Sequence, residues 1–303
     1  MTLDLIIATY NRAALLQACL ESVVAASRPD GLSITVIVVD NNSKDNTRQI
    51  AESFHSQPGL TFRYIFVGRP GKSAALNEAI AQTSGEIIGL IDDDEQLDTA
   101  WFQVVYREFS GDAKLDYIGG PYRPNWESSP PSWLPQSFLG AIGIVNRNER
   151  ATFSPSFEGM LMGGNAAIRR TVLEKALPYP EHLGKIGKRI RSGEDEVIYH
   201  RLLEQGAYGL VIPDMVILHW IPAERLTRKY FRKWAFGRGI SIGSQLRERG
   251  FKGPSLLGIP RPTIGISLRS IARLFLGRTP TERFTAQLLI LDCAGTLYGR
   301  YFY

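Results

Sequence analysis

EIIGLIDDD, residues 86–94, sets an unbroken apolar run directly before three aspartates. A strand that is apolar at every position is buried on both faces, which is how strands of a parallel sheet read. Similar runs occur at residues 3–9, 34–40 and 62–67, separated by helical patterns at 13–26, from about 45, and at 73–82. The alternation predicts βαβ units: an α/β fold, Rossmann-like, with a mostly parallel sheet flanked by helices. Ligands of such sheets collect beyond the carboxyl ends of the strands, where loops converge and helix N-termini point inward. Three polar clusters stand at those ends: Thr9-Tyr10-Asn11-Arg12, Asp40-Asn41-Asn42-Ser43 and Asp92-Asp93-Asp94.

Downstream, strands are expected at 117–121 and 161–168, a helix at 194–204 and an apolar run at 209–212. Between them PYRPNWESSPPSWLPQ, residues 121–136, carries too many prolines for a helix or a central strand. It reads as a surface loop able to serve as a lid. At 303 residues the chain can bury a substantial core without disulfides, and its two cysteines, Cys19 and Cys293, lie far apart. A reducing cytoplasm is the expected location. The opening MTLDLIIATY has no basic leader and its apolar run is too short to span a membrane, so it is expected to be a buried strand.

Charge is divided unevenly. Residues 224–303 hold 15 of the 35 Lys/Arg but only 4 of the 30 Asp/Glu, so the first 223 residues are net acidic. An acidic body suits metal ions and hydroxyl-bearing substrates, and a basic tail suits phosphates. Within the tail, residues 225–238 form an amphipathic helical pattern. Leu226, Tyr230, Phe231 and Trp234 share one face, and Arg225, Arg228, Lys229, Arg232 and Lys233 the other. Either that aromatic face packs on the catalytic body, or it touches an anionic membrane surface. Residues 264–276 and 288–297 carry the same ambiguity.

Each polar cluster has a chemical and a plain structural reading. Asp92 and Asp94 alternate to the same side of an extended strand end, and hard oxygen ligands so placed suit Mg²⁺ or Mn²⁺; otherwise one aspartate caps the helix expected near Thr99. Asp40 can accept hydrogen bonds from a nucleotide, or make an Asx turn. In GRPGKSAALNEAI, residues 68–80, glycines and Lys72 precede a helix start, a natural anion site, though the P-loop spacing is absent. Ser192-Gly193-Glu194-Asp195-Glu196 opens a helix, where carboxylates are favoured by the dipole and where one of them could act as a general base. His219 is the best histidine candidate for a ligand, against a packed core role.

In order, IIATYNR, VIVVDNNSKDNT, GKSAALNEAI, GEIIGLIDDDEQLDTAWF, GGNAAIRR, SGEDEVIYHRLLEQG and a late histidine resemble the inverting family 2 glycosyltransferases, whose catalytic domain has the GT-A fold. The resemblance covers about residues 3–222, implying a catalytic domain over 1–222 and a basic helical extension over 223–303. It implies that Thr9 and Asp40 hold the base of a nucleotide-sugar donor, typically a UDP-sugar, with Lys72 beside them and Asp92 on the ribose. Asn11, Arg12 and Asp93 complete the donor-binding set at the same strand ends. Asp94 would bind the divalent metal, Mn²⁺ or Mg²⁺, and His219 the metal or the diphosphate. Asp195 would be the base with Glu194 as its neighbour, acting on a saccharide or lipid-linked acceptor. RKYFRKWAFGRG follows His219, with Arg232 and Trp234 but not the Gln-x-x-Arg-Trp of processive synthases, so single-sugar transfer is expected. The competing class is a nucleic-acid- or membrane-binding module on an inactive α/β body. No nucleic-acid-binding motif supports it and the cations lie away from the aspartates, so no nucleic-acid partner is expected.

Overall fold

The computed structural model describes residues 1–183, 185–186, 189–190, 193–249, 253–256 and 259–302. Ser192 of the SGEDE motif lies outside the described residues. By contact the chain divides into two units: Met1–Arg123 with Asn146–His219, and Pro124–Val145 with Trp220–Tyr303. Residues 124–145 thus group with the C-terminal residues.

The first unit begins with β1 (Thr2–Thr9), α1 (Ala13–Ala25), β2 (Ser33–Asp40), α2 (Thr47–Ser53), β3 (Thr61–Phe66), α3 (Lys72–Ala81) and β4 (Ile87–Asp92). Strands β1 and β2 are buried along nearly their whole length and β4 up to its last residue, as their unbroken apolar runs require. Next come β5 (Glu95–Leu97), α4 (Trp101–Gly111), β6 (Tyr117–Gly119), β7 (Tyr122–Trp126), β8 (Ala151–Thr152), β9 (Asn165–Arg169) and α5 (Arg170–Ala176). After the short strands β10 (Lys185–Ile186) and β11 (Arg189–Ile190) follow α6 (Glu194–Glu204), β12 (Gly209–Val211) and β13 (Ile217–Ile221).

The main sheet has the order β3-β2-β1-β4-β9-β6-β12-β8. Its first four strands are parallel, and β9 runs antiparallel to both β4 and β6. Ile6, Ile37, Val39, Ile88 and Leu90 on one face of the sheet pack with Ala75, Leu76 and Ala79 of α3 and Ile198 and Leu202 of α6.

Two expectations for residues 121–168 need correction. The strand expected at 161–168 begins only at Asn165, because Gly163 and Gly164 form a turn in which the Asn165 amide donates to the Met162 carbonyl at 3.2 Å. The proline-rich stretch is not loop throughout. Its first residues form β7, which tolerates Pro124 because it is an end strand of the small sheet β5-β13-β7.

The second unit holds α7 (Arg228–Arg249), β14 (Ser255–Leu256), β15 (Ile259–Pro260), α8 (Arg261–Leu276) and α9 (Pro280–Tyr301). The helix expected at 225–238 starts three residues later and runs eleven residues further, after a 3-10 turn at Ala223–Arg225. Its aromatic face is consumed inside this unit. Phe231 and Ala235 are buried with Leu134, Phe138, Phe284 and Leu288, with Tyr230 and Trp234 packed beside them. Further along, α7 and α9 touch backbone to backbone. A methyl at Gly239 would strike the Asp292 carbonyl oxygen, and one at Gly295 the Phe236 carbonyl oxygen; Gly243 and Gly299 repeat the contact one turn on.

Gly295→Val should therefore lower stability by about 1–3 kcal/mol or more through overpacking, read as a lower urea midpoint. Gly237, with nothing near its would-be methyl, is the control: Gly237→Ala should raise stability by roughly 0.5–1 kcal/mol.

Candidate active site

Parallel register aligns the ends of three strands. Thr9 pairs with Asp40 across β1 and β2, and Ala8 with Asp92 across β1 and β4. The Thr9 hydroxyl donates to Asp93 Oδ2 at 2.8 Å. Arg12 donates through Nη1 to Asp93 Oδ1 at 2.7 Å and to Asp94 Oδ2 at 2.9 Å. Asn11 adopts φ +51, a left-handed conformation that Asn tolerates better than most residues. It ties the first loop to the second, donating its amide to Ser43 Oγ at 2.9 Å and accepting from the Lys44 amide at 2.7 Å.

Asp40 is buried and makes the Asx turn, accepting the Ser43 amide on Oδ1 at 2.8 Å, while Oδ2 accepts the Tyr64 hydroxyl at 2.7 Å. Both its oxygens thus have donors from the chain itself. Asn41 latches the glycine loop. Its Oδ1 accepts the Gly71 amide and its Nδ2 donates to the Arg69 carbonyl, both at 2.7 Å. Gly71, at φ +124, turns the chain into α3 and so aims Lys72, the first residue of that helix, at Asp92. The lysine is not a solvated one. Burial works to lower its pKa, but the charges of Asp92, Asp195 and Glu194 hold it well above the usual lysine value.

None of the three aspartates caps the following helix. The residue before α4 is Ala100, whose amide donates to Asp98 at 3.0 Å. Instead they crowd with a fourth carboxylate, Glu95, whose Oε2 accepts the Asp92 amide at 2.7 Å. One oxygen from each of Asp92, Asp94 and Glu95 lies within 4.8 Å of the others. Burial, together with Asp92 and Asp94, pushes the Glu95 carboxyl well above its ordinary value. Burial and Asp94 push Asp93 up to about 6 despite Arg12 and Thr9. For Asp92, burial is outweighed by Lys72, His219 and Arg12, and its pKa falls. Mutually repelling buried oxygens of this kind are what a small, hard divalent cation offsets, so the donor set fits Mg²⁺ or Mn²⁺. His219, mostly buried on β13, is the strand partner of Glu95, with its ring edge-on to Tyr122 at 6.5 Å.

The second carboxylate group comes from α6. Because Ile91 pairs with Asn165, the turn preceding β9 lies beside the end of β4. There the Gly163 amide donates to Asp195 Oδ2 at 3.1 Å. Asp195 Oδ1 is buried with no hydrogen-bond partner among the described residues. A methyl at Gly163 would overlap this carboxylate, and one at Gly164 that of Glu95, so the paired glycines admit both acids at close quarters. Burial raises the Asp195 pKa, and Lys72 only partly opposes it; burial and Asp195 raise Glu194. The space beside Asp195, walled by Leu90, Leu161, Tyr179 and Ile198, has room for no more than about one water and none for a sugar. It is a packing space at the back of the carboxylate rather than a substrate seat.

The structure thus brings together two neighbouring groups, Thr9, Arg12, Asp93 and Asp94 in one and Lys72 with Asp92 in the other, with Asp195 and Glu194 within electrostatic reach of the lysine. Sequence reasoning missed Glu95, though it directly follows the aspartates. It also missed Tyr64, whose contact with Asp40 depends on the β2–β3 register and has no local signal. Asn165 is a structural joint: it accepts the Trp101 indole N–H at 2.9 Å and donates to the Met215 carbonyl at 2.7 Å.

A mostly parallel sheet with acid clusters at its carboxyl edge, interrupted by the antiparallel β9 and flanked by helices, is the architecture of GT-A glycosyltransferases. Residues 4–177 match the model of glycosyl transferase family 2, and the chain belongs to that family. It is 30% identical over 183 residues to glycosyltransferase AglE of Haloferax volcanii, covering 59% of this chain and 56% of that one. To the succinoglycan biosynthesis protein ExoM of Rhizobium meliloti it is 22% identical over 249 residues, 82% of this chain and 76% of the relative. The matched stretch thus spans little more than half the length of AglE. Among solved structures, the Pyrobaculum calidifontis mannosyltransferase PcManGT in complex with GDP-Man and Mn²⁺ superposes with a TM-score of 0.63 at 19% identity, covering 98% of this chain and 87% of that one.

Glu95→Ala should weaken Mn²⁺ binding by about tenfold or more, measured by the loss of free-ion paramagnetic resonance signal on titration. Unchanged affinity would remove Glu95 from the ligand set.

Proposed function

We propose that the chain transfers a single sugar from a nucleoside-diphospho-sugar, with UDP the first candidate base, to an acceptor hydroxyl with inversion. The observation that carries this is that Asp195, with one buried oxygen that has no hydrogen-bond partner among the described residues, and the Asp92–Asp94–Glu95 cluster both lie within electrostatic reach of Lys72. The acceptor is a saccharide or a lipid-linked saccharide, as in cell-surface polysaccharide or glycolipid synthesis. The place of action is the cytoplasmic face of an anionic membrane.

A divalent ion held by Asp92, Asp94 and Glu95, with His219 alongside, would supply positive charge against the diphosphate. The chain's own residues do the rest. Thr9, Asn11, Arg12, Asp40 and Asp93 shape the donor end, and Lys72 adds a cation near the phosphates. Asp195 Oδ1 takes the acceptor's hydroxyl proton while the acceptor oxygen bonds to the anomeric carbon. The bond from that carbon to the diphosphate breaks, and its electron pair leaves with the nucleoside diphosphate. A single displacement of this kind inverts the carbon and needs no covalent enzyme intermediate. The Gly163 amide holds the other oxygen of Asp195, so the base meets its substrate in one orientation.

Calorimetry with UDP, GDP, CDP and dTDP, each with and without Mn²⁺, should show metal-dependent binding of one nucleotide that Asp94→Ala abolishes. The GDP-Man of the Pyrobaculum neighbour makes GDP the main competitor to UDP. Asp195→Asn should keep that binding and lose transfer by a factor of about 10³ or more; normal turnover in this variant would exclude Asp195 as the base.

The pH dependence has a definite sign. A raised pKa keeps Asp195 protonated to higher pH, and only the ionised form accepts a proton, so the acidic limb of the rate profile should lie above the ordinary aspartate range. Lys72→Met removes the main charge favouring ionisation and should move that limb further upward. A limb that stayed in place would show that another group controls it.

A further inference from the structure

Helix α8 turns its apolar side outward. Its one buried side chain is Ser270, whereas Leu268 is 64% exposed, Ile271 46%, Phe275 76% and Leu276 79%. At 100° per residue, Leu268, Ile271 and Phe275 lie in one stripe with Leu276 beside it, and Ser270 falls on the opposite side. The usual amphipathic arrangement is inverted, since a helix that completes a core buries its apolar stripe. On the same wheel Arg261 falls within the stripe, Arg269 and Arg273 lie along its Leu276 side, and Arg278 follows the helix. No acidic residue occurs from 261 to 281, and none of these arginines is in an ion pair among the described residues. The aromatic face of α7 is consumed in the core of the second unit, where Leu288, Leu289 and Leu291 of the 288–297 run pack as well.

We infer that the α8 stripe, Leu268, Ile271, Phe275 and Leu276 with arginines in it and along one side, docks on the surface of a bilayer containing anionic phospholipid. This rests on the membrane-surface reading above and names the face that makes the contact. Large apolar side chains enter the acyl boundary while guanidinium groups meet lipid phosphates, so one helix supplies both the apolar and the ionic parts of interfacial binding. A second copy of this chain is the poorer occupant. An antiparallel two-fold pairing would set the arginine flank of one copy against that of the other, and every pairing would bring Arg261 of both copies into the contact, where like charges oppose association. Nucleic acid would satisfy the arginines but leave the apolar stripe in water.

Co-sedimentation of the full chain with vesicles tests this, using phosphatidylcholine alone and phosphatidylcholine mixed with phosphatidylglycerol. The wild type should bind the mixed vesicles, and more weakly as salt rises. Leu268→Ser with Phe275→Ser should lower that binding by about tenfold or more, and Arg269→Gln with Arg273→Gln by roughly tenfold. Lys229→Gln with Lys233→Gln, on α7, should change little. Since the altered α8 side chains are exposed, circular dichroism and the thermal midpoint should match the wild type. If the wild type binds no vesicle, the α8 assignment and the membrane-surface reading fall together. If it binds but the α8 pairs bind equally well, only the α8 assignment falls. A dimer that the Leu268/Phe275 variant dissociates, seen by light scattering without vesicle binding, would make the stripe an interface between copies and overturn the inference. The nucleotide calorimetry tests the transferase reading separately and is indifferent to all of these outcomes.

Discussion

Four carboxylates stand in succession at residues 92–95, and two cations, Arg12 and Lys72, are paired with them. Two like charges about 4 Å apart repel by roughly 4 kcal/mol at an effective dielectric constant of 20, several times the ~1 kcal/mol net worth of a hydrogen bond. Charge balance, more than any single hydrogen bond, decides whether this edge of the sheet can exist. Each cation comes from a different βα junction, Arg12 after β1 and Lys72 at the start of α3. The balance holds only while both junctions stay in register with the end of β4.

That register follows from the plain chemistry of the strands. Continuous apolar runs in β1, β2 and β4 bury both faces, and pairing Ala8 with Asp92 and Thr9 with Asp40 ends the strands together. The connections are then fixed by side chains that serve as loop hardware: Asn11 to residues 43 and 44, Asn41 to residues 69 and 71, Asp40 to Ser43 and Tyr64. Several positions that could contact a nucleotide are thus already held by the chain, which is preorganisation of the kind a binding edge requires. The antiparallel insertion of β9 beside β4 adds the last element, because it carries the Gly163–Gly164 turn to the acid cluster and leaves room for Asp195.

The second unit uses different means. Its α7–α9 crossing rests on glycines that let two backbones touch, and its aromatic cluster of Phe138, Phe231 and Phe284 absorbs the face of α7 that reads as a candidate surface. With that face occupied, the apolar side chains left in water are concentrated on α8 and the end of α9.

Periodicity alone determined the βαβ rhythm, the placement of the polar clusters at strand ends and the start of α6 at Glu194, because runs of adjacent residues carry those signals. Composition likewise located the basic tail. Only tertiary structure decided that Glu95 joins the aspartates, that Tyr64 holds Asp40, that Lys72 reaches Asp92 and that Asp195 meets Gly163. It also decided which helix of the tail keeps its apolar face exposed, since the sequence leaves the packing of both the 225–238 and the 264–276 patterns open. Each of these depends on which strands become neighbours and which helix faces find partners. Pairing and packing join residues up to a hundred or more positions apart, and no local pattern of side chains encodes them.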